Sequence, residues 1–69
     1  MKYGVNARVG NVTVFTREGA IEAYKKLSKI CYQNLTMESS VVLGNAANDM
    51  NNLGFGWAEI EALEISSIS

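Results

Sequence analysis

Trp57-Ala58-Glu59-Ile60-Glu61-Ala62-Leu63-Glu64-Ile65 is the stretch on which the fold turns, because as a strand it completes a sheet and as a helix it does not. On a helical wheel its apolar residues Trp57, Ala58, Ile60, Ala62, Leu63 and Ile65 scatter all round, and no apolar stripe forms. On an extended backbone Ala58, Ile60 and Ala62 alternate with Glu59 and Glu61. A bulge at Ala62-Leu63 then brings Leu63 and Ile65 onto the same face. The alternation predicts a strand.

Immediately upstream, Gly54-Phe55-Gly56 reads as a helix terminus followed by strand entry. Gly54 occupies the C′ position and Phe55 folds back on the last turn, as in a Schellman motif. The helix it ends starts at a cap on Ser39 or Ser40. Val42, Leu43, Ala46, Ala47, Met50 and Leu53 share one arc of that helix, and Asn45, Asn48, Asp49, Asn51 and Asn52 fill the rest. Before the connector 34–39, a first helix is predicted over Arg17–Gln33 with Thr16 as its N-cap. Ala20, Ala23, Tyr24, Leu27, Ile30 and Cys31 recur at three and four, opposite Glu22, Lys25, Lys26 and Lys29.

At the amino end, Gly10-Asn11 lies between two alternating runs and predicts a two-residue hairpin turn. Its register sets Val9 opposite Val12, Ala7 opposite Val14 and Val5 opposite Thr16. Tyr3, Val5, Ala7, Val9, Val12 and Val14 then share one face, with Lys2, Asn6, Arg8, Thr13 and Phe15 on the other. The expected fold is α+β in the order β-β-α-α-β: a three-stranded antiparallel sheet with two helices packed on one face, forming a single domain over residues 1–69.

The composition narrows the function classes. A 69-residue chain with one cysteine and no histidine has neither an internal disulfide nor a structural zinc set, so stability must come from packing or self-association. A net charge of -1 argues against general nucleic-acid binding, which needs clustered cations against phosphate. Without a long apolar run no signal peptide or membrane span is expected, and a lone thiol suits a reducing cytoplasm. No catalytic residues, metal ligands or cofactor are expected. Without histidine there is no tuned base, and the carboxylates Glu59 and Glu61 would need further ligands or an enclosed pocket to hold a cation or divide acid and base roles.

Two surfaces stand out as candidates. The uncovered sheet face would present Asn6, Arg8, Thr13, Phe15, Trp57, Glu59 and Glu61, aromatics beside single charges, as protein hot spots often are. The second, a candidate ligand site, would combine the amides of Asn45, Asn48 and Asn52, which can read a base, with Phe55. The glycines flanking Phe55 make a loop that could clamp a flat ligand while Trp57 stacks on a base. Each has a plainer reading as a solvated face or a helix end. Glu59, Glu61 and Glu64 would form an acidic stripe on the sheet, the three lysines a solvated helix face, and Cys31 a small buried hydrophobe.

The leading expectation is a small non-catalytic intracellular binding protein that inhibits or occludes a protein target. Its format, a compact α+β chain without catalytic residues, resembles that of small phage-encoded inhibitors of host or anti-phage systems, including anti-CRISPR proteins. The likeness is one of size and build, and for a phage-encoded chain it implies the host cytoplasm. The alternatives are an oligomer that sequesters a nucleotide or other small molecule, and a structural self-assembling subunit. Exposed sheet edges and a small core predict a homodimer.

Overall fold

A computed structural model describes residues 7–68. A short hairpin, β1 (Arg8–Val9) and β2 (Val12–Thr13), leads into three helices, α1 (Arg17–Gln33), α2 (Met37–Asn52) and α3 (Trp57–Ile68). Among the described residues the sheet has two strands, and the expected third strand is α3. The β-β-α-α-β architecture is thereby replaced by β-β-α-α-α. The predictions on Lys2, Tyr3, Val5 and Asn6 lie outside the described residues.

The hairpin register is the predicted one, with Val9 paired to Val12 and Arg8 to Thr13, and Val14 N–H donating to the Ala7 carbonyl at 2.9 Å. Gly10 has φ 63° and Asn11 does not share a positive φ, which is the demand of a two-residue turn with glycine first. The Gly10 N–H donates to Asp49 Oδ2 of α2 at 3.0 Å. A Cβ at Gly10 would stand 3.1 Å from Leu27 Cδ2, so the turn fits closely between α1 and α2. Ala7, Val9 and Val14 are buried beneath these helices, and Arg8 and Thr13 face outward, as expected. Val12 departs from expectation. It lies 51% exposed at the margin of the covered face.

Helix α1 has the predicted bounds, and its Thr16 hydroxyl accepts from Gly19 N–H at 3.0 Å. Helix α2 starts earlier than predicted. Its N-cap is Thr36, and Ser39 is the reciprocal partner in a capping box: Ser39 N–H donates to Thr36 Oγ1 at 3.1 Å and Thr36 N–H to Ser39 Oγ at 2.8 Å. Its far end is the predicted Schellman motif. Phe55 N–H donates to the Met50 carbonyl at 3.2 Å and Gly54 N–H to that of Asn51 at 3.0 Å, with Gly54 at φ 106°. Phe55 and Met50 are both buried, supplying the apolar contact that accompanies this motif.

Helix α3 packs chiefly on α1. Ile60 is buried, and Leu63, Glu64 and Ser67 are partly so. These four positions recur at three, four and seven, a helical stripe in which two members are polar. The stripe holds because α1 supplies a partner for its carboxylate: Tyr24, fully buried, donates its phenol to Glu64 Oε1, and Tyr32 donates to Glu64 Oε2 at 3.2 Å. A search for apolar residues alone misses such a stripe. Ala58, Glu59, Glu61, Ala62, Leu63 and Glu64 are also strong helix formers, and they overcome the alternation that resembled a strand.

Candidate interaction surface

The residues expected to share a sheet face do not do so. Arg8 and Thr13 lie on the outer side of the two-stranded hairpin, and Phe15 is exposed just before the α1 cap. Trp57, Glu59 and Glu61 belong to α3, where ~100° per residue sends neighbours around the helix instead of alternating them across a sheet. Trp57 remains exposed at the first turn. Glu59 turns toward α1 and pairs with Arg17, whose guanidinium also lies 4.5 Å over the Phe55 ring. Glu61 is exposed to solvent and makes no ion pair among the described residues. The predicted acidic stripe is therefore split between an ion pair, a phenol clamp and a solvated carboxylate.

The possible ligand site is divided as well. Asn45, Asn48 and Asn52 are exposed along the outer side of α2, as the wheel indicated. Phe55 is 1% exposed beneath Arg17, so its ring is committed to the core and cannot clamp a ligand, and of the two aromatics only Trp57 is open to solvent. Cys31 is buried with a free thiol. Among the described residues no group of three His, Cys, Asp or Glu side chains could hold a metal ion, and no helix is long and apolar enough to cross a membrane.

The structure opens a different surface. Two adjoining hollows of about 370 and 310 Å³ follow the flank of α1 from the hairpin to the α1–α2 corner, sharing Leu27 and Ile30. Their apolar floor is Val12, Ala23, Leu27, Ile30 and Val42. Glu22 and Lys26 rim one end and Glu38 the other. The segment of α1 from Gly19 to Ile30 is about 17 Å long, so the groove matches roughly three turns of a docked helix.

The sequence contained a signal for this groove. Ala20, Tyr24, Ser28 and Cys31 form the buried arc of α1. Ala23, Leu27 and Ile30 sit on one margin of that arc, roughly 60–120° from its centre. The predicted apolar arc was thus wider than the core uses. Ile30, 61% exposed, is its unused edge.

Toward α3, α1 presents a further hollow. Glu22 and Lys26 stand on the ridge between it and the groove. Lys25, Lys26 and Lys29 line it with Glu22, Ser66 and Ser67, and the lysines make no ion pair among the described residues. Tyr32 stands at its end, its pKa raised first by the charge of Glu64. The Tyr24 phenol is pushed up further, first by burial and then by its hydrogen bond to Glu64. The Ser28 hydroxyl beside it is fully buried and acts in the opposite direction, though it makes no hydrogen bond of normal geometry. These phenols hold their protons and serve as donors to Glu64, which makes the cluster a brace between α1 and α3. Comparison with protein-family models, with curated proteins and with solved structures finds no match to this chain.

Proposed function

We propose that this chain is a small non-catalytic binding protein that acts by occupying a surface on a protein target, and that its contact surface is the groove floored by Val12, Ala23, Leu27, Ile30 and Val42. The observation that carries the reading is Ile30. It is a large aliphatic side chain, 61% exposed at the point where two apolar hollows meet, on a helix whose core side is already filled. A contiguous apolar floor with a charged rim is the anatomy of a protein-binding patch. Its straight course along α1 suits an amphipathic helix of the target, with a cation toward Glu22 or an anion toward Lys26. The proposed place of action is the cytoplasm, where a reducing environment suits the free thiol of Cys31.

Ile30→Asp tests the reading. The side chain is exposed, so the variant should unfold at the same denaturant concentration as the parent while losing the partner that a tagged parent recovers from its source cells. A variant that folds normally and recovers the same partner would remove the groove from the account.

A further inference from the structure

The outer side of α2 is a second, separate surface, and three of its features have no explanation within one chain. Met37, Val41, Gly44 and Asn48 are all exposed, Met37 at 91% and Val41 at 62%. At ~100° per residue they lie along one strip pointing directly away from Leu43, Ala46 and Met50, which face the core. Gly44 stands in the middle of a 16-residue helix, where glycine is the poorest residue after proline, yet a Cβ there would meet nothing within 4 Å. No packing inside the chain requires it. Asn48 follows on the same strip, flanked by Asn45 and Asn52, three weak helix formers spent on one exposed side.

We infer that this strip is the interface of a parallel two-fold dimer of this chain, with the two copies of α2 side by side. The spacing 37, 41, 44, 48 is the four-three-four step of a heptad seam, with Val41 and Asn48 at a positions and Met37 and Gly44 at d positions. A β-branched residue at one a position and asparagine at the next favour a parallel pair, since an amide both donates and accepts and so bonds to its own copy across the axis. Gly44 lets the two backbones approach. A parallel two-fold axis sets each residue against itself, so any charge on the strip would meet a like charge. The strip has none: the carboxylates of α2 are Glu38, off the strip in the first turn, and Asp49, which faces the hairpin and accepts from Gly10. By contrast, Lys25, Lys26 and Lys29 would repel their own copies on α1, and Glu61 would do so on α3.

The area sets the strength. A 16-residue helix is about 24 Å long and a strip one helix wide about 10 Å, giving each copy a footprint of roughly 240 Å². That is well below the ~800 Å² per partner of a stable complex. The dimer is therefore weak and concentration-dependent. The inference does not depend on the groove along α1.

Sedimentation equilibrium of the full chain, from micromolar to millimolar concentration, is the test. The parent should pass from monomer to dimer across this range. Val41→Glu should stay monomeric with an unchanged unfolding midpoint. Gly44→Ala should raise that midpoint and weaken the dimer at least tenfold, whereas a glycine of no special role would give the first effect without the second. Ile30→Asp should dimerise like the parent. In a Cys31→Ala background, Val41→Cys should form a covalent dimer on oxidation. A parent that stays monomeric throughout, a Val41→Glu variant that dimerises normally, or a dimer lost in Ile30→Asp would overturn the interface. Cross-linking of a Val41→Cys and Asn48→Cys mixture without self-linking of Val41→Cys would overturn its parallel sense.

Discussion

Replacing Tyr24 with Phe deletes one oxygen, and the structure indicates what that oxygen is worth. Tyr24 is 0% exposed and its phenol donates to Glu64, fastening α3 to α1. A hydrogen bond to a charged group contributes about 1.5–3 kcal/mol when its loss leaves the partner poorly satisfied. Glu64 is half-buried and keeps its 3.2 Å bond from Tyr32, so water and that phenol recover part of the loss. The expected destabilisation is about 2 kcal/mol. For a 69-residue domain, total stability is on the order of 3–10 kcal/mol, so the change should lower Tm by roughly 8–16 °C. Urea unfolding followed by helical circular dichroism and by Trp57 fluorescence measures it. Trp57 opens α3, so an α3 that loosens first would separate the two signals. Tyr32→Phe should cost distinctly less, since that residue is 41% exposed and its bond is longer. In a cycle with Glu64→Ala, Tyr24→Phe should show a coupling of about 1 kcal/mol or more. A Tyr24→Phe variant within about 0.5 kcal/mol of the parent, or a coupling near zero, would refute the idea that this phenol clamps α3.

Two further outcomes follow from the same geometry. Because burial and Glu64 raise the Tyr24 pKa above its ordinary 10.0, the folded state holds that proton more tightly than the unfolded chain does. The resulting stabilisation is complete below pH 10 and is lost as pH climbs from there toward the folded value, so the urea midpoint should fall above pH 10 in the parent and more gently in Tyr24→Phe. Asp49→Ala removes the acceptor of the Gly10 N–H and should cost about 1–2 kcal/mol. It should speed hydrogen exchange at Val14 while leaving the middle of α1 protected, and unchanged exchange at Val14 would show that the hairpin is held without Asp49.

Local signals in the sequence proved dependable where a single residue determines the backbone. Gly10 set the hairpin register, Thr16 the start of α1, and Gly54 with Phe55 the end of α2. The serines at 39 and 40 put the expected α2 cap too late, because Ser39 is the capping-box partner of Thr36. The carboxyl-terminal third departs from its local pattern for a tertiary reason. Glu64 belongs to the buried side of α3 only because Tyr24, forty positions away, offers it a proton, and no local pattern contains that fact. Once α3 was a helix, the predicted sheet face holding Trp57, Glu59 and Glu61 beside Arg8 and Thr13 had no sheet to stand on. The groove was half legible: the surplus width of the α1 arc marked Leu27 and Ile30, but only the positions of Val12 and Val42 show that the surplus continues onto neighbouring elements.

Site-specific photo-crosslinking in the source cell tests the functional reading most directly. A benzophenone side chain at Ile30, at Val41 and at Glu61 samples the groove, the outer side of α2 and a solvated side of α3 in turn. Ile30 should give a covalent adduct with one discrete partner protein, Val41 an adduct with a second copy of this chain, and Glu61 neither. The same partner captured equally from Ile30 and Glu61, or none captured from Ile30 while Glu61 gives one, would contradict the assignment of the α1 groove as the binding surface.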